Sequence, residues 1–253
     1  MGISETDSAL IELVDLIVDV HEAGWIDSVS VDNGTVPADK DVGMTLEREC
    51  SIIPNASVDP DWKGKVEIKS SAQRRKRLEN IISVVPGRGV ASKSRKGNWE
   101  DGMSDIEICR EFGKPDQKGR RYGLKNNIRT EHMNTHQLMI QIDREKSELI
   151  IIGESKEGEE KLASIYDFVR MRAALENKHP CTVWATAEKS EDQRKFRYTK
   201  ISITKKPVFG NVLSLIEQGS VIFDYRMAWD GKSPNLNSGT SKGHGPCFRN
   251  DSK

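Results

Sequence analysis

The apolar residues of this chain come only in short runs, and their spacing keeps switching between strand-like alternation and helical periodicity. The longest runs, Leu149–Ile152 and Val183–Ala187, fall far short of the roughly 20 residues a membrane-spanning helix needs. A chain patterned this way folds as strands and helices around a buried core. At 253 residues and 36% hydrophobic it can fill one large domain or two lobes, and it is too apolar to stay disordered.

The pattern predicts a helix over 4–23, with Ser4, Thr6 and Asp7 as candidate N-caps, a stripe of Leu10, Leu13, Val14, Ile17 and Val20, and Gly24 as the stop. A short helix is expected around Met44–Cys50, capped by Thr45. Lys65–Ser70 alternates as a strand does, with Val66 and Ile68 on one face and Glu67 and Lys69 on the other. Gln137–Ile142 and Glu148–Ile152 read as a hairpin. Glu160–Glu176 reads as a helix whose core face includes Tyr166, Val169 and Ala173. Cys181–Ala187, Phe196–Ile203 and Ser220–Met227 read as strands, and Pro207–Gln218 as a helix. Residues 72–130 are poorly periodic, hence mobile or ordered by a ligand, and 230–253 offer little to pack. The sum is a mixed α/β (α+β) chain of roughly seven strands. Its expected division is a lobe over 1–135 and a second over 136–253, with the chain free to cross between them.

Charge is balanced overall, 39 Lys and Arg against 39 Asp and Glu, yet strongly segregated. Residues 1–60 hold 2 basic and 13 acidic side chains, whereas residues 61–130 hold 18 and 9. A polyanionic partner is therefore compatible with the neutral total, provided the basic surface is local. Cys50, Cys109, Cys181 and Cys247 are widely separated with no CxxC pair, which argues against a zinc knuckle or a disulfide scaffold. Ser4, Glu5 and Asp7 stand where a signal peptide would be basic. The expectation is a soluble protein of a reducing cytoplasm.

One segment concentrates chemistry: Asp59-Pro60-Asp61-Trp62-Lys63-Gly64-Lys65-Val66-Glu67-Ile68-Lys69. Period two sets Glu67 and Lys69 side by side, and Asp61 can fold back toward them. Two carboxylates suit a hard divalent cation, and a neighbouring ammonium can orient an attacking water and meet developing negative charge. That set serves phosphodiester hydrolysis. Alone, the pattern fits an exposed strand bearing an ordinary ion pair better than a nuclease site. The other E-x-K matches, Glu159/Lys161 and Glu176/Lys178, read as solvated helix ends.

Further motifs follow in order: Gly43-Met44-Thr45-Leu46-Glu47, then Asn55, the Pro-Asp segment, Gly219-Ser220-Val221-Ile222-Phe223-Asp224-Tyr225-Arg226, and His244-Gly245-Pro246-Cys247-Phe248-Arg249. Together they resemble the MvaI/BcnI family of type II restriction endonucleases, with extra basic charge around Trp62-Lys63 as a departure. The spacing of the acidic residues is also similar to that of the mismatch-repair nicking enzyme MutH, which shares the fold. The resemblance implies a PD-(D/E)xK nuclease with a mixed sheet flanked by helices and two lobes forming a DNA cleft. Asp61 and Glu67 would bind Mg²⁺, for which Mn²⁺ substitutes; Lys69 would act on the water, and Glu47 would complete the site. It further implies a bacterial, cytoplasmic monomer acting on double-stranded DNA and cutting the strands in succession, with a cognate DNA methyltransferase in the same system but not as a bound subunit.

In the second lobe, Asp224 would accept from a cytosine amino group and Arg226 would fork onto guanine, with His244 and Arg249 approaching a groove. The plain alternative for Asp224/Arg226 is an ion pair, and for Glu47 an exposed helix position. Arg74, Arg75 and Arg77 would track phosphates, and Asn134 and His136 are candidate groove contacts. A third metal ligand beside His132 and His136 is not evident. The rival functions are a strand-specific nicking or repair enzyme of the same fold, and a DNA-binding module with a dead site. An RNA-binding protein is disfavoured by the lack of an aromatic-rich strand or a Gly-x-x-Gly loop.

Overall fold

Ser4 opens the first helix as the sequence predicts: its Oγ accepts from the Asp7 amide at 3.1 Å, and α1 runs from Glu5 to Glu22. The computed structural model describes residues 3–32, 34, 37–38, 40–53, 59–72, 79–83, 103, 105–115, 122–229 and 247–250. At 32, 79–83, 105–106, 125, 225–229 and 247–250 it describes the backbone alone.

After α1 come β1 (Ile26–Asp27), α2 (Val29–Asp32), α3 (Asp41–Glu49), β2 (Glu67–Ala72), β3 (Glu79–Ser83), α4 (Asp105–Phe112), β4 (Lys114–Pro115) and β5 (Tyr122–Ile128). Then follow β6 (Leu138–Asp143), β7 (Glu148–Glu154), β8 (Glu160–Asp167), α5 (Phe168–Lys178), β9 (Cys181–Lys189), β10 (Lys195–Lys205), α6 (Phe209–Glu217), β11 (Val221–Trp229) and β12 (Cys247–Asn250). No helix is long and apolar enough to cross a membrane among the described residues.

The chain forms two compact units that interleave in sequence. One comprises Met1–Arg77 with Leu175–Pro207, the other Leu78–Ala174 with Val208–Lys253. The expected boundary at 135/136 falls inside the second unit, because the strands that complete the first unit's sheet, β9 and β10, come late in the chain.

In the first unit the strand order is β1-β10-β9-β2. β2 runs parallel to β9, with Glu67 opposite Thr182 and Lys69 opposite Trp184. Leu10, Leu13, Ile17 and Val20 of α1 recur at helical spacing and join Val42 and Leu46 of α3 in one core with Val66, Ile68, Val183, Ala185, Phe196 and Tyr198. Tyr198 lies in that core and donates its hydroxyl to the Val42 carbonyl at 2.6 Å, which ties α3 to β10. Thr45 is not the cap of α3: the helix starts four residues earlier, and the buried Thr45 Oγ1 accepts from the Val29 amide at 3.2 Å. Asp41 secures the start instead, taking the Ser28 hydroxyl at 3.0 Å and the Ala38 amide at 2.9 Å on one oxygen.

The second unit holds the sheets β3-β12-β11-β5-β4 and β6-β7-β8. Residues 160–176 are not one helix. Glu160–Asp167 is a strand paired with β7, and α5 begins only at Phe168. Ala163, Ser164, Ile165 and Tyr166 are consecutively buried, so both strand faces are covered; a continuous apolar stretch fits either period. Val169, expected in the core, is 70% exposed. Four elements, β3 to β5 and α4, form within the weakly periodic stretch 72–130, and β12 forms in the tail.

Gly153 shows how closely this unit is packed. A Cβ there would lie 2.4 Å from the Phe112 ring and 2.8 Å from the Leu138 side chain. Gly153→Ala is therefore expected to destabilise the protein by about 1–3 kcal/mol through overpacking, read from chemical denaturation.

Candidate active site

Asp61, Glu67 and Lys69 come together because a tight turn precedes β2. Trp62 and Val66 form an antiparallel bridge, and the Lys65 amide closes on the Trp62 carbonyl at 2.9 Å. Both central residues have positive φ, Lys63 at 51° and Gly64 at 66°, the signature of a type I′ turn, where glycine is favoured. The extra basic charge of this turn is taken up by α1: Lys63 pairs with Glu12, and Lys65 with Glu5 at 3.1 Å. The turn returns Asp61 over the strand, where its Oδ2 accepts from the Ile68 amide at 3.3 Å.

Glu67 does not sit on an exposed strand. Its side chain is 0% exposed, and its Oε1 takes a charged hydrogen bond from Lys69. Burial pushes its carboxyl above the ordinary range; Lys69 opposes this and Asp61 adds to it. Glu47 projects from α3, which packs on β2. Burial first, and then the nearby Asp61 charge, raise its carboxyl, against the pull of Lys69 and Lys178. Glu47 is thus half-buried and near enough to Asp61, Lys69 and Lys178 to feel their charges.

The sequence reading missed one residue of this cluster. Lys178, expected on a solvated helix end, lies with its Nζ 2.9 Å from Glu67 Oε2 and 3.5 Å from Asp61 Oδ1, and donates to the Asp59 carbonyl at 2.9 Å. Burial opposes its charge, but the Glu67 and Asp61 carboxylates outweigh it and hold the ammonium above its ordinary value. Topology places it there. Glu67 is the register partner of Thr182, so the turn that ends α5 must pass the start of β2. His179 fixes that turn, its amide bonded to the Leu175 carbonyl and its ring 3.0 Å from the Thr182 hydroxyl. Lys178 stands four residues before Thr182, a relation visible only once β2 and β9 are known to pair in parallel.

The cluster offers hard carboxylate oxygens, and a cation already bridges two of them through Lys178. That donor chemistry fits a divalent metal, although no group of three or more acidic, histidine or cysteine side chains is arranged as a metal cage among the described residues.

The other expected residues are distributed over the second unit. Asp224 is buried at 3% exposure in β11, opposite Asn127 and Cys247. Arg226 is two positions along the same strand, opposite Lys125, and Arg249 pairs across from Ile222 in β12. Asn134 and His136 tie their loop together and to its neighbours: Asn134 Oδ1 accepts from the His136 and Leu138 amides at 2.8 and 3.1 Å, and the buried His136 ring bonds the Phe112 carbonyl through Nδ1 at 2.5 Å. Asn55, Arg74, Arg75, Arg77 and His244 lie outside the described residues.

Comparison with known proteins agrees with this architecture. The family model for "MvaI/BcnI restriction endonuclease family" matches residues 14–253. Two solved structures of restriction endonuclease MvaI are similar at 18% identity. The complex with cognate DNA substrate has a TM-score of 0.75, covering 99% of this chain and 95% of that one. The form without DNA has a TM-score of 0.52, covering 99% and 94%. No individual curated protein sequence matches significantly.

Because the folded protein raises the Glu47 carboxyl, the neutral form is the one folding favours. The stability this contributes is complete below the ordinary carboxylate range and is lost as pH rises through the raised value. Glu47→Gln is expected to melt a few degrees higher than the parent at neutral pH in EDTA, and equally at pH 4 or below, in thermal scans across that range.

Proposed function

This chain belongs to the MvaI/BcnI restriction endonuclease family, hence to nucleases that act on DNA, and we propose that it is a type II site-specific deoxyribonuclease using the Asp61–Glu67–Lys69 cluster to hydrolyse duplex DNA at a short palindromic or near-palindromic sequence. The observation that carries this reading is the convergence of Asp61, Glu67 and Lys69 at the start of β2, with Glu47 close by on α3.

Asp61 and Glu67 would hold Mg²⁺, or Mn²⁺ in its place. The ion when bound supplies positive charge that stabilises the phosphodiester as it approaches the transition state. Lys69, adjacent to Glu67, orients the attacking water and donates to the oxygen on which negative charge grows. Glu47 steadies Lys69 and completes the acidic lining. Water adds to phosphorus and the bond to the 3′ oxygen breaks, leaving a 5′-phosphate and a 3′-hydroxyl. A monomer with one such cluster cuts the two strands in succession, and a cognate methyltransferase protects the host's own sites.

Base reading falls to β11 and its neighbours. Asp224 and Arg226 occupy alternate positions of one strand, and Arg249 stands one register step of two residues away in β12. An arginine there is suited to guanine and an aspartate to cytosine. Arg74, Arg75, Arg77 and His244 are assigned to DNA contact by their place in the sequence. Asn134 and His136 are kept as candidate groove contacts beside the bonds they make within the protein.

With supercoiled phage or plasmid DNA and Mg²⁺, the protein should give discrete fragments that disappear in EDTA, and Lys69→Ala should slow cleavage by about 10²–10⁴-fold. Arrest at the open circle would instead identify a nicking enzyme. Absence of cleavage across several DNAs, with binding unaltered in Asp61→Ala, would identify a binding module. Arg226→Ala should relax discrimination at one base pair by about 1–3 kcal/mol, measured as the ratio of cleavage rates on cognate and singly substituted sites.

A further inference from the structure

The ammonium of Lys178 occupies the position between Glu67 and Asp61 that a cation shared by those two carboxylates would take. It is the better placed of the two lysines for this. Lys69 reaches Glu67 through the other carboxylate oxygen, whereas Lys178 reaches both acids. It is also anchored from outside the pair by its bond to the Asp59 carbonyl. A fully buried carboxylate beside a second acid carries a heavy desolvation and repulsion cost, and this lysine offsets it without any bound ion.

We propose that Lys178 is an internal counter-cation that competes with the divalent metal for Asp61 and Glu67, so that metal enters only as the ammonium leaves. This rests on the assignment of those two acids as metal ligands. The side chain has somewhere to go: it is 29% exposed and ends a helix, so a rotamer change frees the acids without moving the sheet. A DNA phosphate arriving at the site is a natural new partner for the displaced ammonium. Metal binding and DNA binding then reinforce one another, and each raises the affinity for the other by the same factor. The free protein keeps a low metal affinity and is held inactive away from its substrate.

The test is titration of Mn²⁺ into DNA-free protein, followed by calorimetry and by the electron paramagnetic resonance signal of the unbound ion. Lys178→Met is expected to bind Mn²⁺ at least tenfold more tightly than the parent, and Lys178→Gln, which keeps a hydrogen-bond donor but no charge, to shift the same way. The two variants guard against a loss of folding, checked by circular dichroism. Without metal, Lys178→Met should melt below the parent, and saturating Mn²⁺ should raise its melting temperature more than the parent's. Equal or weaker Mn²⁺ binding by both folded variants overturns the proposal. A Glu67→Gln control separates it from the underlying assignment: if that change leaves Mn²⁺ affinity intact in the parent, the ligand assignment has failed, whereas loss of binding there with no gain in Lys178→Met sinks the lysine's role alone.

Discussion

Burial of the Glu67 carboxylate is the constraint around which the first unit is organised. A carboxylate taken out of water is costly unless charged donors replace its hydration. Here the replacement comes from Lys69, two residues along the same strand, and from Lys178, which is remote in sequence. The strand pairing, the turn at residues 62–66 and the end of α5 all serve to bring those partners to one atom group. The β2–β9 ladder sets the register, the type I′ turn brings Asp61 back, and His179 holds the helix end. The same burial that makes Glu67 expensive also removes solvent screening, so the charges around it act on one another strongly.

The support of this cluster is apolar and conventional. α1 and α3 cover one face of the sheet with residues at helical spacing, and Tyr198 adds a single directed bond to the backbone of α3. Glu47 therefore projects from a helix whose position is fixed by packing rather than by the acids themselves. A site built on such elements tolerates the electrostatic strain of three neighbouring carboxylates, because the backbone beneath them is stabilised elsewhere.

Much of this was legible in the sequence. Ser4 and the stripe that follows it identify α1, and the Pro-Asp segment with Glu67 and Lys69 identifies the cluster, since the period of a strand is enough to pair those two side chains. Lys178 was not legible, because its place depends on the parallel pairing of β2 with β9, which no local pattern encodes. The strand at 160–167 resembles a helix in sequence because Leu162, Ile165, Tyr166 and Val169 satisfy a helical period, while the fold buries successive residues on both faces. Thr45 has the residue type of a cap, whereas tertiary contact with α2 claims its hydroxyl. The internal bonds of Asn134 and His136, to a turn and to the Phe112 carbonyl, likewise depend on contacts that residue type does not encode.

The interleaving of the two units in sequence has an evolutionary corollary. The chain passes from one to the other at 77/78, 174/175 and 207/208, and the middle crossing lies within α5, the helix that ends in Lys178. No single cut separates one complete unit from the other. A gene fusion or a segment exchange near the midpoint would deprive the first unit of β9 and β10, and with them of the register that positions Glu67. New sequence preference in such a chain must then arise by substitution within an intact scaffold, not by trading one half for another.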